Sequence, residues 1–272
     1  MEDGQLINSI EEDSYEQFTR LFSKLTGIEL ESYKRPQMER RLLSLAKKNG
    51  HSSLLSFGKA MKTDKVLLAE CLEKMTINVT SFFRNSERWQ TLVEQILPKL
   101  TSGQDSLKIW SAACSTGEEA YTLAIICAEH NISLQQSTLL ASDLDASILE
   151  KARIAKYKKD AVINVSPGML TTYFNYKSDE YAVKESLRKQ ISFTQRDLLS
   201  DSYPDGCDLI VCRNVCIYFT EEAKQLIFLK LSQALRPGGI LFVGSTEQIF
   251  NPAQFGLKPV ASFFYEKFDL KK

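Results

Sequence analysis

The segment Lys108-Ile-Trp-Ser-Ala-Ala-Cys-Ser-Thr-Gly-Glu-Glu119 joins an apolar run to a cluster of small residues and then to two acids. Small residues let a ligand approach the backbone at a tight turn, and a helix starting there offers free N–H groups. A pyrophosphate cradle needs G-x-G-x-x-G, yet only Gly117 is present, and Glu118 and Glu119 put negative charge where a phosphate would sit. This chemistry disfavours a dinucleotide and suits a ligand with a cationic end, such as a sulfonium or ammonium group. The same residues also read as helix capping, with Ser115 or Thr116 as the cap and the glutamates favouring the helix dipole.

Three further segments have comparable content. Asp143, in Ala141-Ser-Asp-Leu-Asp145, follows Gly117 by 26 residues, about one βαβ unit, where an acid commonly grips ribose hydroxyls. Asp145 is expected to cap the next helix. In Gln195-Arg-Asp-Leu-Leu199, Asp197 can accept a hydrogen bond from an adenine amino group while Leu198 packs on the ring. The segment Cys212-Arg-Asn-Val-Cys-Ile-Tyr-Phe219 lacks the Pro-Pro turn with which amide- and base-methylating enzymes bind a target amine. Asn214 is expected at the cofactor and Tyr218 at the reacting centre. The plainer reading of Tyr218 is a half-buried aromatic with a satisfied hydroxyl.

These segments need strands and helices to position them. Strands are predicted at 107–112, 138–142, 191–196, 208–212 and 239–243, with helices near 118–130, 145–155 and 220–235 between most of them. Such alternation argues for a parallel sheet covered on both faces, with ligands held just outside the carboxyl ends of its strands. Runs near 257–260 and 262–268 are too close together for a crossover, so the sheet is predicted to end in an antiparallel hairpin. Upstream, residues 14–100 read as almost entirely helical, interrupted at Gly27, Gly50 and Gly58, with the last helix stopping at Pro98. The stretch 76–84 is too β-branched and polar for a good helix. The expected organisation is an N-terminal all-helical domain over 14–100 and an α/β domain over 101–272, with a small β insertion about 160–190.

The chain has 272 residues, 43% of them hydrophobic, and 34 basic side chains against 34 acidic ones, so no overall charge points to nucleic acid. No apolar run approaches the ~20 residues that span a bilayer. The N-terminal Met-Glu-Asp-Gly lacks the pattern of a signal peptide, so a cytoplasmic location without membrane insertion is expected. The six cysteines form no C-x-x-C pair and there are only two histidines, which argues against a disulfide framework or a metal site and for buried thiols. Residues 31–50 carry six basic side chains against two acids.

Five motifs in this order resemble the chemotaxis receptor methyltransferases, the CheR family. They are Asn78-Val-Thr-Ser-Phe-Phe-Arg84, the segment from Trp110 to Glu119, Ala141-Ser-Asp143, the segment from Cys212 to Phe219, and Leu235-Arg-Pro-Gly-Gly-Ile-Leu-Phe-Val-Gly-Ser-Thr-Glu247. The resemblance implies a Rossmann-like sheet with a helical N-terminal domain and S-adenosylmethionine as methyl donor, leaving S-adenosylhomocysteine. It implies methyl-ester formation on glutamates in the cytoplasmic methylation helices of transmembrane chemoreceptors. By motif matching, Asn78, Thr80, Arg84, Glu119, Asp143, Asp197, Leu198, Arg213 and Asn214 would line the cofactor site, with Arg84 and Tyr218 nearest the transferred methyl. The family pattern often has Asn-Leu where this chain has Asp197-Leu198. Arg40, Arg41, Lys47 and Lys48 would face the acidic receptor helices, and a monomer with no nucleic-acid partner is expected. The competing readings are a methyltransferase for another carboxylate and a non-catalytic module that binds the same cofactor.

Overall fold

The computed structural model describes residues 3–76, 78–103, 106–132 and 138–268, with side chains from residue 14 onward. The chain divides into two compact units, Met1–Ile77 with Tyr218–Lys224, and Asn78–Ile217 with Gln225–Lys272.

The first unit is built from helices Asp3–Thr26, Arg35–Lys48, Leu54–Met61 and Lys65–Met75. Side chains of Ser53 and Asp64 cap the third and fourth of these by accepting hydrogen bonds from Ser56 and from Val66 and Leu67. Phe18, Phe22, Leu42 and Phe57 are fully buried, and Phe18 stacks on both Phe22 and Phe57. Gly27 and Gly50 end helices with left-handed backbone, as expected. Gly58 does not interrupt anything. It sits inside Leu54–Met61, where a Cβ would lie 3.0 Å from Leu21 and 3.1 Å from Phe18, so its missing side chain lets two helices approach.

The second unit carries a seven-stranded sheet. Its strands are β1 (Lys108–Ser111), β2 (Thr138–Asp143), β6 (Ile191–Gln195), β7 (Cys207–Cys212), β8 (Leu235–Val243), β9 (Leu257–Ala261) and β10 (Phe264–Lys267). The order is β6-β2-β1-β7-β8-β10-β9, parallel from β6 to β8, with β10 antiparallel to both of its neighbours. This is the mostly parallel sheet with an antiparallel end that the sequence pattern predicts. Successive strands leave β1 on one side for β2 and β6, and on the other side for β7 and β8. The switch point therefore lies between β1 and β7, and ligands of such sheets bind beyond the strand ends there. Every residue of β7 is buried, which is why Leu209–Cys212 reads as an apolar run after Asp208. The remaining strands, β3 (Lys156–Tyr157), β4 (Phe174–Lys177) and β5 (Glu180–Val183), form a separate small sheet in the order β3-β5-β4. It begins a little before the insertion expected at 160–190.

Two sequence expectations are corrected. The compact units divide between Ile77 and Asn78, not near residue 101. Phe82, Trp89, Leu92, Ile96, Leu97 and Leu100 all join the hydrophobic core of the sheet unit. The helix near 87–97 also passes through Pro98 instead of stopping before it. A π-helical turn at Leu92–Ile96 separates helices Ser86–Thr91 and Leu97–Leu100. The widened turn accommodates the missing proline N–H, and Pro98 falls in the first turn of the last helix, where none is needed. All six cysteines are buried and free. Among the described residues no helix is long and apolar enough to cross a membrane.

Candidate cofactor-binding site

In the sheet unit, four non-glycine residues in three segments around the first and fourth predicted strands have left-handed backbone. They are Phe83 and Asn85 in the segment before helix Ser86–Thr91, Ser115 after β1 and Asn214 after β7, with φ between 48° and 60°. Such residues are uncommon, and their clustering marks a place where surrounding structure overrides local preference. Gly117 has φ 95°, and a Cβ there would lie 3.0 Å from Ala152 Cβ and 3.2 Å from the Tyr157 hydroxyl. Only glycine suits this turn, so the β1 loop stays low against the sheet.

The capping reading of that loop does not hold. The N-cap of helix Glu118–Glu129 is Gly117, which has no side chain to offer, and Thr116 Oγ1 donates to Glu118 Oε2 instead. Asp145 does cap helix Ala146–Ile154, accepting from Ser147 N and Ile148 N. Asp143 is therefore left for another task. Its carboxylate accepts from Ser115 N at 2.8 Å and Asp145 N at 3.1 Å, tying the ends of β1 and β2 together. Ser115 Oγ donates in turn to Asn78 Oδ1 at 3.2 Å.

A second network centres on Arg213, which is 5% exposed. Its Nη2 donates to the Arg84 carbonyl and to Asn85 Oδ1, both at 3.0 Å, and its Nη1 faces Glu119 Oε2 at 3.7 Å. The guanidinium also lies over the rings of Trp89 and Phe242. Glu119 accepts from Ser111 Oγ at 2.8 Å. Burial pushes the Glu119 carboxyl up to about 7, with Arg213 and Ser111 pulling it back and Glu247 adding to the rise. Burial likewise raises Asp143 and Glu118 and lowers Arg213.

The structure thus brings together Asn78, Arg84, Glu119, Asp143, Arg213 and Asn214 by direct bonds or a shared loop. The Arg84 side chain donates to the Val79 carbonyl at 2.8 Å, and half-exposed Thr80 lies on the same segment. Asp197 begins a tight turn, accepting from Leu199 N and Ser200 Oγ, which occupies part of the carboxylate expected to face adenine. Leu198 is buried, and its carbonyl accepts from Tyr203 and Lys230. Tyr218 falls in the helical unit. Its carbonyl accepts from Lys34 N, and its ring lies under the Arg41 guanidinium at 5.2 Å. Arg41 also donates to the Met75 carbonyl, so it is turned inward and does not form a plain basic face with its neighbours. Lys48 is paired with Glu70 at 2.7 Å, while Arg40 and Lys47 are exposed. Sequence reasoning quoted Glu247 in a motif without giving it a role. Buried beside the β7 loop, it accepts hydrogen bonds from Asn214, Cys216 and Gly244.

The donor set fits a nucleoside with a cationic tail. Buried carboxylates stand on adjacent loops at the switch point, where ribose hydroxyls and an ammonium or sulfonium can be held. The sheet order, the switch-point loops and these acids define an S-adenosylmethionine-dependent methyltransferase. Residues 78–263 match the family described as "CheR methyltransferase, SAM binding domain", and residues 13–76 match "CheR methyltransferase, all-alpha domain". A "Chemotaxis protein methyltransferase" of Listeria monocytogenes is 44% identical over 96% of this chain and 100% of that protein. "Chemotaxis protein methyltransferase 1" of Pseudomonas aeruginosa is 35% identical over 87% and 90%. Among solved structures, a TehB-like SAM-dependent methyltransferase from Corynebacterium glutamicum superposes with a TM-score of 0.37 at 16% identity, covering 67% of this chain and 93% of that one. The chain belongs to the CheR methyltransferase family.

Proposed function

We propose that this protein methylates glutamate side chains of chemoreceptors, forming methyl esters. S-adenosylmethionine supplies an electrophilic methyl group when bound. Asn78, Thr80, Glu119, Asp143, Asp197, Leu198, Arg213 and Asn214 would hold it, with Glu119 at the cationic end and Asp143 at the ribose. The reading rests chiefly on one observation, that the acids around the site are already engaged and that His130, the histidine described in the sheet unit, stands far from them. Asp143 bonds Ser115 and Asp145, Glu119 bonds Ser111, and Glu247 bonds three backbone N–H groups. His130 follows the far end of helix Glu118–Glu129, about 17 Å from Glu119 at 1.5 Å per residue.

An acceptor that needs no general base suits such a site. A glutamate with a reference pKa of ~4.3 is already ionised near neutrality, whereas an amine or alcohol would need deprotonating. The protein then has to position and desolvate the carboxylate. Arg84 can orient it without gripping so tightly that the ground state is favoured. Tyr218, steadied by Arg41, would shape the approach to the methyl group or donate a hydrogen bond. The exposed Arg40 and Lys47, with Arg41 and Lys48 beside them, would steer acidic receptor helices toward the enzyme. On this reading the protein acts in the cytoplasm, and its helical unit provides receptor docking.

The test is transfer of label from methyl-labelled S-adenosylmethionine to chemoreceptor-containing membranes, counted as methanol released by mild alkali. Base-labile counts that disappear when the receptor glutamates are changed to alanine are expected. Label stable to alkali would refute ester formation.

A further inference from the structure

We propose that Glu247 is a positioning residue of the cofactor site, whose buried carboxylate holds the loop after β7 in the shape that presents Asn214. The loop Arg213–Cys216 turns its backbone N–H groups inward, forming the kind of concavity that elsewhere captures an anion. Here the anion comes from the chain itself. Glu247 is 5% exposed, and its Oε2 accepts from Asn214 N at 2.5 Å and Gly244 N at 2.9 Å. Its Oε1 accepts from Cys216 N at 2.6 Å. The carboxylate therefore ties the carboxyl ends of β7 and β8 together with charge-assisted bonds, roughly twice as strong as neutral ones.

The fit is close. A Cβ on Gly244 would overlap Glu247 Oε2 and lie 2.9 Å from Asn214 N, so glycine leaves the room that the carboxylate needs. Two residues on, the chain is tied to β10, because Ile249 N donates to the hydroxyl of buried Tyr265 at 3.0 Å. Asn214 has a left-handed backbone with φ 60°, a conformation that persists only where neighbours over-determine it. Glu247 supplies that constraint. The constraint extends further, because Arg213, the preceding residue, carries the bonds to Arg84, Asn85 and Glu119.

The inference rests on Asn214 facing the cofactor, so the test separates the two. Titration calorimetry with S-adenosylhomocysteine would compare wild type, Glu247→Gln, Asn214→Ala and the double variant, with the melting temperature of each. Gln keeps the shape of Glu but sets an amino group against one backbone N–H. The dissociation constant is expected to rise about tenfold in each single variant, and in the double variant by much less than the product, as for coupled neighbours. Gly244→Ala, which displaces the carboxylate, should reproduce the loss with Glu247 intact. If Asn214→Ala weakens binding while Glu247→Gln and Gly244→Ala stay within about twofold of wild type, the clamp is overturned. A lower melting temperature with unchanged affinity would show Glu247 to be a structural staple only, and would also overturn it. If Asn214→Ala binds like wild type, the placement of Asn214 at the cofactor fails, and with it the route by which Glu247 would act. Fully multiplicative losses in the double variant would show that Glu247 does not work through Asn214.

Discussion

Lowering the pH should weaken cofactor binding through one carboxyl group. Glu119 is held at about 7 by burial, against the opposing pull of Arg213 and Ser111. Its neighbours are Arg213 Nη1 at 3.7 Å and Ser111 Oγ at 2.8 Å, with Glu247 and Arg84 acting at longer range. A ligand ammonium favours the ionised form, so binding competes with a proton. The free protein is mostly ionised above pH 7 and increasingly protonated below it. Affinity should therefore fall as the pH drops below 8, by about tenfold between pH 8 and pH 6 for a single group titrating near 7. Calorimetry with S-adenosylhomocysteine over pH 6 to 8 in two buffers would give the slope and count the protons released. In Glu119→Gln the slope should vanish while affinity at pH 8 drops. An unchanged slope in Glu119→Gln would refute the argument, and so would affinity that rises as the pH falls.

Other consequences are equally open to measurement. The Tyr157 hydroxyl, on the small sheet, donates to the Thr116 carbonyl at 2.7 Å. Tyr157→Phe should cost about 1 kcal/mol in urea unfolding and loosen the β1 loop, raising the dissociation constant for S-adenosylhomocysteine. Phe82 is fully buried between Tyr157 and Phe174, and Phe82→Ala should destabilise the protein by about 3–5 kcal/mol; a loss under 1 kcal/mol would show that this segment is not part of the core. Arg40→Glu with Lys47→Glu should slow association with receptor fragments and flatten its dependence on salt, leaving affinity for S-adenosylhomocysteine unchanged. Unaltered receptor kinetics would refute docking through that helix.

Much of the fold around the candidate site was readable because buried parallel strands and their caps leave local marks. The run Leu209–Cys212 is apolar because both faces of β7 are covered, and polarity returns where the chain enters the loop at Arg213. Asp145 could be assigned to its cap from the helix after it, which set Asp143 apart, and the structure bonds Asp143 to Ser115 N and Asp145 N. What the sequence did not reveal depends on distant partners. Phe82, Trp89 and Leu92 have the spacing of any amphipathic segment, and nothing local says that they pack under the sheet and not with the helices before them. Pro98 reads as a stop because the π turn that relieves it carries no residue signature. Tyr218 follows β7 closely in sequence, yet it groups with the helical unit through bonds to residues nearly two hundred positions earlier. The role of Glu247 depends on N–H groups about thirty residues upstream, a relation that no periodicity exposes.

The most direct measurement is to incubate the protein with S-adenosylmethionine and a cytoplasmic chemoreceptor fragment and to map the modified side chains by tandem mass spectrometry. One added methylene on glutamate carboxyls is expected, removed by mild alkali and strongly reduced in Arg84→Ala and Tyr218→Phe. Methyl groups on nitrogen, or an unmodified competent receptor beside protein that binds S-adenosylhomocysteine normally, would contradict the account.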